Sequence, residues 1–166
     1  MYDVAYTPYK LSLPMEQYLN AALKKDLTVQ LKELALDSAK FTKNYVGESN
    51  TRLDSNTQEY NYDTAKRNLK TAKTYKEMAI RNAYLQLQQM ETQITSAQSS
   101  LTKAQADYRA AQINLRAGNV TKTAVEQAEM GVVSAQNSLN QLIYNYDMLV
   151  FTFENPSLLG NTTQAQ

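Results

Sequence analysis

The sequence predicts an all-α fold: a long antiparallel coiled-coil helical hairpin with additional N-terminal helices packed along it as an up-down bundle. Three observations predict it. Apolar residues recur on alternating three- and four-residue steps through Ile80, Ala83, Leu87, Met90, Ile94, Ala97, Leu101, Ala104, Tyr108, Ala111 and Leu115. After a break at Gly118 the same steps resume through Val125, Ala128, Val132, Ala135, Leu139, Leu142, Tyr146, Leu149 and Phe153. The three prolines, Pro8, Pro14 and Pro156, all fall outside the helical spans. A 3.5-residue period keeps one narrow stripe of a helix facing a partner over many turns. Folding the chain back at the turn pairs Leu115 with Val125, Ala104 with Ala135, Ile94 with Tyr146 and Leu87 with Phe153, position sums of 239 or 240 throughout.

Residues 1 to 12 read as irregular, with Pro8 and Pro14 framing the approach to the first helix. Met15, Leu19 and Ala22 then give that helix one apolar face. Lys24-Lys25-Asp26 marks a kink or break, with Asp26 placed to cap the next helix. Leu27, Leu31, Leu34, Ser38, Phe41 and Tyr45 continue a three-four pattern to about Val46, where Gly47 ends it. Residues 47 to 56 are polar and read as a connection, and Ser55 with Gln58 fits a capping box for the long helix beyond it. From there to Arg116 neither Gly nor Pro occurs, so roughly 60 residues at about 1.5 Å each predict a helix of roughly 90 Å. The turn is 117 to 122, Thr123 with Glu126 supplies a second capping box, and the last helix stops before Pro156. The expected organisation is a single helical domain over 1–160 and a disordered tail over 161–166.

Composition narrows the function. The net charge is +1, with Lys and Arg dispersed among Asp and Glu, so the concentrated basic face that a phosphate backbone requires is missing. The chain has no Cys, no His and no Trp. Thiolate nucleophiles, imidazole bases, His-rich zinc sites and disulfides are therefore unavailable, and an enzyme, a metal site or a cofactor is not expected. Absence of Cys also suits an oxidising setting. No stretch approaches the roughly 20 apolar residues of a membrane span, so direct insertion by this chain is not expected. Residues 1 to 4 carry no basic and apolar leader, so an exported protein would have this chain as a mature or excised form.

The seam's many alanines read as packing positions that let helices approach closely. Beside the seam lie Gln88, Thr95, Gln98, Thr102 and Gln105 on the long helix, and Ser134, Ser138, Gln141 and Asn145 on the return helix. Solvated hairpins usually carry Glu and Lys there; uncharged amides and hydroxyls suit lateral packing against further helices, or a solvated face of modest charge. Tyr outnumbers Phe twelve to three, with Tyr60, Tyr62, Tyr75 and Tyr84 in the first half of the long helix and Tyr144 and Tyr146 near the end of the return helix. Amphipathic rings of this kind suit half-buried packing or surfaces closed by a partner.

The segment 115–129, LRAGNVTKTAVEQAE, resembles the tip motif of the TolC-like outer-membrane efflux proteins, in which a Gly turn precedes a helix opening with Asp-Val and an Ala. Arg81-Asn82-Ala83-Tyr84-Leu85-Gln86-Leu87 is similar to that family's long helix, and Ser134-Ala135-Gln136-Asn137-Ser138-Leu139, Tyr146 and Leu158-Leu159-Gly160 to its return helix and ending. Leu11-Ser12-Leu13 with Ala21-Ala22-Leu23 resembles the start of one repeat. The resemblance implies one segment of a helical barrel in the extracytoplasmic cell envelope, a homo-oligomer through lateral helix packing. It also implies docking of a periplasmic-adaptor-type hairpin at Gly118, Asn119, Val120, Thr121 and Lys122. Three departures accompany it. Ala124 stands where the family has Asp, the polar link near residues 47–56 leaves no room for membrane β-strands, and one repeat is present instead of two.

Two other readings compete. An adaptor hairpin shares the long heptads, but its spaced Arg, Leu and Ser pattern does not fit: from Arg109 it falls on Ile113 and Val120. A plain structural coiled coil needs no adaptor. Glu126 and Glu129 near Lys122 read as capping and surface charges, not as a catalytic group. If the seam is assigned correctly, a disruptive charge such as Ala104→Glu is expected to unfold or splay the hairpin.

Overall fold

A computed structural model describes residues 6–46 and 52–159. The chain is all-α. Among the described residues lie α1 (Met15–Lys25), α2 (Leu27–Val46), α3 (Arg52–Arg116), α4 (Lys122–Glu154) and a short 310 turn (Pro156–Leu158), with no strand. The expected helix stop at Gly47 and the tail over 161–166 lie outside the described residues. By packing, the chain divides into two compact units, Met1–Lys10 with Tyr84–Phe151 and Leu11–Ala83 with Thr152–Gln166, the boundaries falling after Lys10, within α3 and near the end of α4.

In the first unit α3 and α4 form the antiparallel hairpin. Every seam position on α3 from Leu87 to Ala111, and on α4 from Val125 to Leu149, is buried or half-buried, as the 3.5-residue period requires. Leu87, Ile94, Ile143 and Tyr146 are fully enclosed. Toward the turn, Ala97, Leu101, Ala104, Tyr108 and Ala111 are only half-covered, because two helices alone shield one side of a seam. Ile143 and Gln136 are buried although they lie off the seam; with Leu139 and Tyr146 they form a second stripe that widens the packed face of α4. Gln136 satisfies its amide by donating to Asn140 Oδ1 at 2.9 Å.

In the second unit α1 buries Leu19, Ala22 and Leu23. The chain breaks at Asp26, whose extended backbone (φ −72°, ψ 121°) ends α1 while its Oδ1 accepts the Val29 N–H at 3.0 Å and caps α2. Tyr18 stacks on Phe153 with ring centroids 4.8 Å apart, and its hydroxyl donates to the Phe153 carbonyl. Two ion pairs join α2 to α3, Glu33–Lys73 at 2.7 Å and Lys43–Glu59 at 2.5 Å. Lys43 also lies 4.8 Å from the centre of the Tyr62 ring. The hydrogen bond to Glu59 raises the Lys43 pKa above its usual value.

Three local features differ from the sequence reading. Ser55 does not cap α3: the helix already runs from Arg52, so Ser55 lies in its first turns. Thr123 does not cap α4 either, because the helix begins at Lys122. The cap is Thr121, whose hydroxyl accepts the Ala124 N–H at 3.2 Å. The Thr-x-x-Glu spacing fits a capping box two residues too late. The apolar stripe of α2, from Leu27 to Tyr45, points outward, while Val29, Glu33, Leu36 and Ala39 on the opposite side form the covered face.

Candidate functional site

The turn that joins α3 to α4 is built by two backbone hydrogen bonds. Gly118 N–H donates to Leu115 C=O at 3.0 Å, and Asn119 N–H donates to Asn114 C=O at 2.8 Å. This 5→2 and 6→1 pair is the Schellman closure of a helix C-terminus. It requires a left-handed residue, and Gly118 supplies it with φ +77°. From there Asn119, Val120 and Thr121 lead directly into the Thr121 cap of α4. Gly118, Asn119, Thr121 and Lys122 are exposed and Val120 is half-buried, so the five tip residues form one continuous accessible surface. Lys122 pairs with Glu126 at 3.8 Å along α4, both side chains well solvated. Ile113, just before the turn, is also exposed.

The uncharged residues beside the seam are exposed as well. Their hydrogen bonds stay within their own helices. Thr95, Thr102 and Ser138 hydroxyls donate to the carbonyls of Glu91, Gln98 and Ser134, and Gln141 donates to Asn145 Oδ1 at 3.1 Å. On α4 a second apolar stripe, Met130, Val133, Tyr144, Met148 and Phe151, faces solvent.

Sequence reasoning missed two polar clusters. At the far end of the hairpin, Tyr146 Oη accepts the Tyr9 N–H and donates to Glu91 Oε1, each at 2.7 Å. The Tyr6 ring meets Tyr146 edge-on at 5.3 Å. Burial first, then the bond to Glu91, pushes the Tyr146 hydroxyl well above the usual phenol range. Burial also raises Tyr6. The abundance of Tyr was the available signal, but nothing local tied the N-terminal segment to residue 146. In the second unit, Lys76 Nζ pairs with Asp26 Oδ2 at 2.6 Å and donates to the Leu159 carbonyl. Cavities of about 300 and 190 Å³ border Asp26, the first lined by Tyr18, Lys25, Asn155 and Pro156, the second by Tyr75, Lys76 and Leu159.

Among the described residues no group of His, Cys, Asp or Glu is arranged to hold a metal ion, and no helix is long and apolar enough to cross a membrane. Compared with protein-family models, curated proteins and solved structures, the chain matches none.

Proposed function

We propose that this chain is a non-enzymatic helical component of a TolC-like export conduit, working outside the cytoplasm and docking an adaptor's helical hairpin through its own tip at 117–123. The observation that carries the reading is the tip itself. The residues of the family-like motif coincide with a Schellman turn followed at once by a side-chain helix cap, which leaves Gly118, Asn119, Thr121 and Lys122 exposed around a half-buried Val120. A pre-organised surface binds without a large ordering cost. Lateral association of copies is supported by the outward apolar stripe of α4, which water would otherwise hydrate.

The test is calorimetric titration of the chain with a synthetic membrane-fusion-type adaptor hairpin. Binding that falls at least tenfold in Val120→Asp supports the docking role. Absence of binding, or binding indifferent to the tip, sinks it. A plain structural hairpin is the second reading, favoured by the hydroxyls of Thr95, Thr102 and Ser138, which are satisfied within their own helices. It predicts no adaptor affinity.

A further inference from the structure

The outward stripe of α2 is not explained by anything in its own unit. Leu27, Leu31, Leu34, Phe41 and Tyr45 are 56–70% exposed, although they follow the same three-four steps as a coiled-coil seam. Phe41 and Tyr45 already contact each other, with ring centroids 4.8 Å apart. We infer that this stripe is a self-association surface, occupied by α2 of a second copy packed antiparallel across a two-fold axis.

Three observations select that occupant. The steps 27, 31, 34, 38, 41 and 45 read the same in both directions, so antiparallel pairing seats Leu27 on Tyr45, Leu31 on Phe41 and Leu34 on Ser38 of the second copy, with every position sum equal to 72. An isologous two-fold contact demands this reciprocity. A parallel pair would crowd Phe41 and Tyr45 onto their own copies and leave Ser38 facing Ser38; the antiparallel pair sets large against smaller along its whole length and opposes the helix dipoles.

Charge is the second observation. The stripe and five of its six flanking residues, Thr28, Gln30, Ala35, Thr42 and Asn44, carry no charge. The sixth, Asp37, lies one residue from the two-fold axis and on the same side as Asp37 of the second copy, so the two carboxylates meet at the exposed rim, where repulsion is screened and small.

Area is the third. Covering these side chains in both copies removes on the order of 1,000 Å² from water, at the lower bound for a specific interface. The contact is therefore a reversible dimer, not an obligate one.

The proposal goes beyond the conduit reading and rests on none of its elements: it uses neither the tip nor α4. Sedimentation velocity of the full chain, without adaptor, over a wide concentration range tests it. The expected result is a monomer–dimer equilibrium. Leu31→Glu should weaken it at least tenfold, as should Phe41→Lys, and the double variant Leu31→Glu/Phe41→Lys should restore it, because each new charge meets its opposite across the axis. Circular dichroism controls for folding, which substitution at these exposed positions should leave unchanged. The chain has no Cys, so a mixture of Leu34→Cys and Ser38→Cys chains gives a second readout: a disulfide joining the two variants. A monomer at every concentration overturns the inference. So does association that survives Leu31→Glu but is lost in Met148→Glu, which would place the contact on α4, and so does failure of the double variant to recover.

Discussion

Asp26 and Lys76 form a buried ion pair at 2.6 Å, the carboxylate 3% and the ammonium 8% exposed. Asp26 does two jobs from one side chain. Oδ1 caps α2 and Oδ2 binds Lys76, which in turn closes on the Leu159 carbonyl. The joint between α1 and α2, the first half of α3 and the C-terminal segment are thereby tied at one point.

Removing one partner leaves the other charge desolvated. Lys76→Met is expected to cost about 3 kcal/mol, the range for an orphaned buried charge. Asp26→Asn keeps the cap and removes the charge. The double variant Asp26→Asn/Lys76→Met should therefore recover most of the loss. Urea unfolding of the four proteins gives the cycle; additive single losses would mean that the pair does not act as a unit.

The Tyr146 hydroxyl has a direction of pH dependence. Its folded pKa lies above the unfolded value of about 10. A raised acid stabilises the fold in its protonated form, so that contribution is complete below about pH 10 and is lost as pH rises through the folded value. Ultraviolet titration of phenolate should show a late-ionising component that shrinks in Tyr146→Phe. The variant also loses its bonds to Glu91 and Tyr9, a cost of about 1–2 kcal/mol at neutral pH. Its stability should fall less between pH 9 and 11 than that of the wild type. Equal falls would contradict the assignment.

The tip separates backbone from side-chain terms. Nothing lies within 4 Å of a Cβ added at Gly118, so Gly118→Ala meets no clash and its cost comes from the positive φ alone, about 1 kcal/mol. Thr121→Ala removes the α4 cap and should cost about 1 kcal/mol as well. Thr123→Ala should cost little. Thermal melts that rank Thr123→Ala as the more damaging would restore the capping box at 123.

How far the sequence reaches is set by which interactions are local. The α3–α4 seam was legible because a 3.5-residue period is written into every turn and checked by the register across Gly118. The Asp26 cap was legible because its partner, Val29, is three residues away. The Asp26–Lys76 pair joins residues fifty apart, and neither side chain belongs to an apolar pattern. On α2 the period was visible but its direction was not. The covered face includes Glu33 and Lys43, charges that read as solvent-facing until α3 supplies Lys73 and Glu59. Ile143 escaped notice because it lies beside the three-four steps of the seam, on the stripe that it shares with Gln136.

The difference between the seam and the outward face of α3 sets the last expectation. Ile94 is fully enclosed, Ala104 is half-covered, and Ile113 is 65% exposed, all on one helix. Truncating Ile94 to Ala deletes buried methyl groups and leaves a cavity, so a loss of about 2–4 kcal/mol is expected. Ile113→Ala should stay within about 0.5 kcal/mol, because little packing is lost there. Ala104→Glu places a carboxylate at a seam position too narrow to hold it dry; the chain must splay toward solvent, and the cost should fall between the two. Urea unfolding with helicity as the probe gives all three. A large loss at Ile113 without one at Ile94 would reverse the faces of α3 and with them the seam on which the hairpin is built.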